Sequence, residues 1–275
     1  MIYDVGAVRD LILPSNFYKR YILVTMVVLF GGVMLSAPGQ AEIDPNTIVA
    51  LWSFNDGAGE TAEDGSGNNL HGVLVGDPKW IDGKVNKALA FNGVDDYVEV
   101  PDMVTPPLLS FACWFRRTGP GSGGVPRIHT SGGGPWAFEF GVGNTHPPVA
   151  EQLAFYFAFS DGSAAGWLPL FDVEENVWYH TAISYDGTWV RAYVDGEEIY
   201  SDDTWAGREI NQTISRIGGG ALGDAFEGDI DEAILFNVAI TEDDVGSLMT
   251  GKWASVEASG KITSTWGEIK NTTLR

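Results

Sequence analysis

Two Asp-Gly pairs in quick succession, Asp186-Gly187 and Asp195-Gly196, constrain this chain more than any other feature. They separate three runs rich in β-branched and aromatic residues: Trp178 to Tyr185, Trp189 to Val194 and Glu197 to Tyr200. A tight hairpin whose turn matches the twist of its strands needs positive φ at the centre, and Asp-Gly supplies it. Three runs joined by two such turns make an antiparallel meander, which needs further strands to pack against. The rest of the sequence offers them. Gln152 to Phe159 alternates Leu153, Phe155, Phe157 and Phe159 with Ala154, Tyr156 and Ala158, which places a column of large apolar side chains on one buried face. Nearer the N-terminus, Ile48 to Phe54 ends in Asn55-Asp56-Gly57, and Ala88 to Phe91 passes through Asn92-Gly93-Val94-Asp95-Asp96 into Tyr97 to Val100. Such Asn/Asp/Gly clusters are turn chemistry. With 35 Gly and 13 Pro in 275 residues, many short strands and few helices are expected. The one segment with helix signals runs from Glu242 to Met249, with Thr241 as N-cap, Asp244 at the capping-box position, acids in the first turn and Gly251 after the end. It is expected to cover one end of a sandwich. The fold class is all-β: a single domain of two antiparallel sheets with one short helix.

The N-terminal segment reads differently. Lys19-Arg20 precedes a 14-residue, mainly apolar run from Ile22 to Leu35, followed by the small-residue stretch Ser36 to Ala41. That order of basic, apolar and small-residue regions is an export signal, with Gly39 and Ala41 suiting the positions before a cleavage site. Residues 1–41 are therefore expected to be a signal peptide and the mature protein to be secreted, periplasmic or held at the cell surface. A retained anchor would need about 20 apolar residues to span a membrane, so no membrane insertion is expected after cleavage. The polar tail of residues 252–275 carries isolated Trp253 and Trp266. A net charge of −21 excludes nucleic acid as a partner, because phosphate binding needs clustered Lys and Arg, and favours cations. Cys113 is the only cysteine and, within Phe111 to Phe115, is expected to be a buried apolar residue.

Taken in order, Leu51-Trp52-Ser53-Phe54 to Gly59, Ala62 to Gly72, Gly83 to Pro101, Trp178-Tyr179-His180, Tyr193-Val194-Asp195-Gly196 and Phe226 to Glu232 resemble the LamG-like jelly-roll family of the concanavalin A-like lectin/glucanase superfamily. The resemblance spans roughly residues 48–250, which sets the domain at 42–251. It implies two packed sheets in an exported protein that binds carbohydrate or other proteins, often around a structural calcium. It implies no particular ligand, since one fold hosts lectins, glycanases and lyases.

Calcium takes six to eight hard oxygen ligands. Asp64 and Asn68 offer two on a flexible loop, and the family resemblance implies that Asp231, in a late core strand, completes the site. Glu227-Gly228-Asp229-Ile230-Asp231-Glu232 also fits E-x-D-x-x-E, the pattern of laminarinase-type glucanases. A retaining mechanism would need two carboxyls about 5–5.5 Å apart. Alternation puts Glu227, Asp229 and Asp231 on one face and Glu232 on the other unless a bulge intervenes, so the chain is expected not to be an enzyme. The histidines at 71, 129, 146 and 180 show no zinc spacing. Among the tryptophans, Trp52, Trp114 and Trp178 are expected in the core. Trp136, Trp167 and Trp205, near Gly, Pro or Asp-rich loops, are the candidate platforms for a ligand. The expectation is a non-catalytic module for a glycan or surface glycoprotein. Its alternatives are a structural or adhesive protein-protein module and a glycan-cleaving enzyme.

Overall fold

A computed structural model describes residues 43–101, 109–131, 138–143, 151–210, 214–220 and 223–251. The chain divides after Gln40, and every described residue belongs to the unit beginning at Ala41. The expected signal peptide, the tail 252–275 and Trp136 lie outside the described residues.

After a short 3-10 turn at Pro45–Thr47, the strands are β1 (Ile48–Trp52), β2 (Thr61–Ala62), β3 (Gly72–Val75), β4 (Lys79–Asp82), β5 (Lys87–Asn92), β6 (Tyr97–Glu99), β7 (Leu109–Arg117) and β8 (Arg127–Ser131). They continue with β9 (Phe138–Val142), β10 (Gln152–Ala158), β11 (Ala164–Asp172), β12 (Trp178–Tyr185), β13 (Val190–Val194), β14 (Glu197–Asp202), β15 (Ile214–Ile217) and β16 (Glu227–Phe236), and the chain then enters helix α1 (Glu242–Thr250). Two eight-stranded sheets result. Sheet I has the order β14-β13-β12-β7-β16-β5-β4, with β1 also on β16; sheet II runs β11-β10-β9-β8-β15-β6-β3-β2.

The meander forms as its turns dictate. Asp195 and Gly196 have φ of 49° and 89°, the two positive values a type I′ turn requires. Asp186 Oδ1 accepts from the amides of Thr188 and Trp189 and closes the other hairpin.

The main core lies between the sheets. Leu153, Phe155 and Phe157 of β10 meet Phe140 of β9 and, from sheet I, Phe111 and Phe115 of β7 with Ile230 and Leu235 of β16. The Phe111 and Phe140 rings, 5.2 Å apart between centroids, tie the two layers, and within sheet II Phe140 meets Phe155 at 5.7 Å. Each fully buried phenylalanine contributes about 1.5–3 kcal/mol by leaving water. Cys113 is buried there, as expected. A second cluster covers part of the outer face of sheet I, where Ala112, Ala182, Ile234 and Phe236 receive Val245 and Leu248 of α1. The helix thus sits on a sheet face rather than at one end of the sandwich. Its capping box closes reciprocally between Thr241 and Asp244, and Gly251 ends it at φ 65°.

One irregularity shapes sheet I. Along β7, Asp231 faces Trp114 and Ile234 faces Ala112, so β16 carries one extra residue. Glu232 takes φ of 51° within this bulge. On the other edge, β16 pairs with β5 through Ile230 and with β1 from Ala233 onward. The strand therefore changes partners at Asp231 and Glu232.

Candidate functional site

Parity fixes which side chains face outward from sheet II. With Phe155 and Phe157 inside, Tyr156 of β10 is outside; with Phe140 and Val142 inside, Glu139 of β9 is outside. β8 is bulged between Arg127 and His129, so Ile128 and His129 both turn into the core while Arg127 and Thr130 face out. Pairing then aligns one residue from each strand. Trp167 lies opposite Tyr156, Tyr156 opposite Glu139, and Thr130 bonds Glu139 through its hydroxyl. Thr130 is paired with Arg216, Arg216 with Glu99, Glu99 with Val73 and Val73 with Thr61. These eight residues form a lane across the whole sheet, perpendicular to its strands. At about 4.8 Å per strand it is about 34 Å long.

The β9–β11 end of the lane is the most built. Arg127 donates from Nε to Glu139 Oε2 at 3.0 Å and from Nη2 to Asp224 Oδ2 at 3.1 Å, and a further N–H reaches the Val125 carbonyl. Its guanidinium carbon stands 4.4 Å from the centre of the Trp167 ring, which in turn contacts Tyr156 at 5.5 Å. The next row, Arg127, Gly141, Ala154 and Pro169, is small in its middle, which lets Arg127 and Trp167 meet. Gly141 is required there, because a Cβ would stand 2.1 Å from the Pro126 carbonyl oxygen. Burial raises the Glu139 carboxyl, against the lowering influence of Arg127 and Thr130, and raises the Tyr156 phenol with help from Glu139. The result is an aromatic pair, a clamped guanidinium and a buried carboxyl held in fixed geometry. Rigid aromatic faces beside oriented donors and acceptors suit a polyhydroxylated ligand with little ordering cost.

Of the expected platforms, Trp167 stands in this lane. Trp205 does not: it stacks on Phe159 at 5.3 Å with Arg208 over it, and its carbonyl accepts from the Tyr185 hydroxyl, so it packs beneath its own loop. Trp52 and Trp114 are buried as expected, whereas Trp178 is half-buried on the outer face of sheet I with Arg116 over its ring at 5.0 Å. The end of a strand gave it an outward parity that its apolar neighbours concealed.

The expected calcium set does not assemble. Asp64 Oδ1 accepts from the amides of Leu51 and Ser66, and Oδ2 from the Ser66 hydroxyl and the Leu70 amide. Those four bonds fill a carboxylate's acceptor positions. Asn68 donates its side-chain amide to the carbonyl of Val49 at 2.8 Å. Both residues pin their loop to β1, and the Asp64 carboxylate has its acceptor positions filled by these bonds. Among the described residues no three His, Cys, Asp or Glu side chains are grouped to hold a metal ion. Asp231 stands elsewhere, at the partner change of β16. Val85 N–H donates to its Oδ2 at 2.8 Å, while its Oδ1 has no hydrogen-bond partner. Glu232 beside it accepts from Asn55 at 3.2 Å. Burial pushes Asp231 up to about 7 against the pull of the amides of Val85, Glu232 and Lys84, and burial with the Asp231 charge holds Glu232 well above the usual carboxylate range. Of the three expected ligands, only Asp231 has an uncommitted buried oxygen, and its acidic neighbour is Glu232.

The bulge that parity alone lacked is present in the E-x-D-x-x-E segment. Its carboxylates are nevertheless committed: Glu227 accepts from Gly121 N–H at 3.1 Å, Asp229 pairs with Arg116 at 2.6 Å, and Glu232 is buried against Asn55.

The family described as the concanavalin A-like lectin/glucanases superfamily matches residues 92–246, more than half of the chain. No curated protein matches it in sequence. Among solved structures, domain 4 of a GH43 extracellular arabinanase from Geobacillus stearothermophilus, in complex with arabinotriose, is 21% identical with a TM-score of 0.58, over 74% of this chain and 98% of that one. The binding domain of Paraclostridial Mosquitocidal Protein 1 is 14% identical with a TM-score of 0.56, over 76% of this chain and 53% of that one. A botulinum neurotoxin type C structure, described by cell entry dependent on two ganglioside molecules, is 14% identical with a TM-score of 0.53, over 75% and 51%. The chain spans about half the length of the two toxin domains.

Proposed function

This chain belongs to the concanavalin A-like lectin/glucanase superfamily, and from that premise we propose that it is an exported, non-catalytic module that lays a glycan across the outer face of sheet II. The observation that carries this reading is the lane from Trp167 through Tyr156, Glu139 and Thr130 to Arg216, with Arg127 clamped over Trp167 by two acids. Trp167, Tyr156 and Arg216 are the half-exposed residues along this lane that sugars could reach, while Glu139 and Thr130 are buried. Arabinotriose in the similar arabinanase domain and gangliosides in the toxin description point to the same ligand class.

The absence of catalysis rests on the carboxylates of Glu227, Asp229 and Glu232 being held by other groups. Export rests on the basic, apolar and small-residue order of residues 19–41. Of the residues expected to hold a structural calcium, Asp231 is the one that would do so here, since a cation would satisfy its buried oxygen that has no donor.

Retention of the full chain on immobilised polysaccharides tests the reading. Retention is expected, and Trp167→Ala is expected to weaken it about tenfold or more while release of new reducing ends stays at background. Capture of proteins with no glycan retained would refute it, as would reducing ends that disappear in Glu232→Gln.

A further inference from the structure

On a chain of net charge −21 a cation finds an acid easily. Every described arginine except one is in an ion pair with Asp or Glu. The exception is Arg216, and it stands in the lane. Ile217 beside it is fully buried in the core, so alternation turns Arg216 outward. One Nη donates to the Gly220 carbonyl at 3.2 Å, and the guanidinium lies 4.2 Å above the centre of the Tyr97 ring. Glu99 is directly across the strand pair, exposed, yet unpaired with it. Glu139 and Asp224, on the same face, are both engaged by Arg127. Lys84 also lacks an acid, but it is spent on the Trp114 ring of sheet I. Arg216 is thus held by an aromatic face and one carbonyl, with most of its five N–H donors uncommitted.

We infer that Arg216 makes this face selective for a carboxylate-bearing glycan, one built from uronic acids, with the sugar carboxylate seated on the guanidinium fork. The inference rests on the glycan-binding reading of the lane and names its ligand class. A planar fork matches a carboxylate with two parallel hydrogen bonds, whereas a neutral hydroxyl uses only one. The acidic body does not forbid such a ligand. At physiological ionic strength charges beyond about 8 Å are largely screened, so the nearest groups decide.

The test is frontal affinity chromatography of the full chain on immobilised polygalacturonate, alginate, dextran sulfate and neutral arabinan. The uronates are expected to retain it most, with retention falling as salt rises. Arg216→Gln is expected to lower uronate affinity about tenfold or more and arabinan affinity far less, and Arg216→Lys to recover part of the uronate affinity, since it restores charge without the fork. Equal retention on arabinan and the uronates overturns the inference, as does an unchanged Arg216→Gln. Equal retention on dextran sulfate overturns the carboxylate assignment. Retention on arabinan alone refutes this inference and leaves the glycan reading standing, while no retention on any column refutes both.

Discussion

Asp231→Asn is expected to stabilise the protein at alkaline pH when divalent ions are removed. Asp231 is fully buried, with one oxygen bonded to the Val85 amide and the other without a partner. Burial raises it from 3.8 to about 7, and each unit is worth about 1.4 kcal/mol, so ionising it in the fold costs about 4 kcal/mol. The folded pKa lies above the unfolded one. The stability it contributes is therefore complete below about 3.8 and is lost as pH rises through about 7. Asparagine keeps the shape and the acceptor for Val85 while removing the charge. Urea unfolding in chelator at pH 4 and pH 8 measures the difference. The two proteins should nearly coincide at pH 4, and by pH 8 the variant should be ahead by up to about 4 kcal/mol, roughly 10 °C in melting temperature for a domain of this size. Parallel curves from pH 4 to pH 8, or a variant weaker at pH 8, would show that the cost is carried elsewhere.

Three further outcomes are expected. Millimolar calcium at pH 8 should raise the melting temperature of the parent and of Asp64→Asn but not of Asp231→Asn, because a ligand held only by the fold stabilises it; a response lost in Asp64→Asn would return the site to the 64–68 loop. Asp64→Ala strips partners from the amides of Leu51, Ser66 and Leu70, and at about 1–3 kcal/mol for each donor it should cost at least about 3 kcal/mol; a urea midpoint equal to the parent's would contradict that. Trp167→Ala and Tyr156→Ala, on the half-exposed outer face, should cost about 1 kcal/mol or less in stability while glycan affinity falls about tenfold or more; retained affinity with both rings removed would move the ligand off sheet II.

The sandwich was legible because its signals are local. The Asp-Gly turns fixed the meander, and the Leu153 to Phe159 alternation fixed both the buried face of β10 and, by parity, the outward Tyr156. The site was less legible because it depends on register between strands distant in sequence. Tyr156 and Trp167 are hairpin neighbours, but Arg216 reaches Thr130 only through the β8–β15 pairing. Arg127 and Glu139 flank a stretch whose glycines and prolines suggested loops, and a bulge between Arg127 and His129 resets parity there. Asp64 misled for a related reason. A carboxylate on a Gly-rich loop has the same sequence signature whether it binds calcium or four of its own backbone and hydroxyl donors. Only the folded partners tell them apart.

The position of β16 has a consequence for the order in which the protein can be made. This strand, near the C-terminal end of the described chain, is the one on which β7, β5 and β1 all pair. Ile48 at the start of β1 waits for Phe236. Pairings of such long sequence separation must pay their loop-closure entropy before any contact repays it. Sheet I therefore cannot close on a growing chain until residues 227–236 are available, and until then three strand edges stay open to wrong partners. A chain whose sheet closes only once residues 227–236 are made remains threadable until that point.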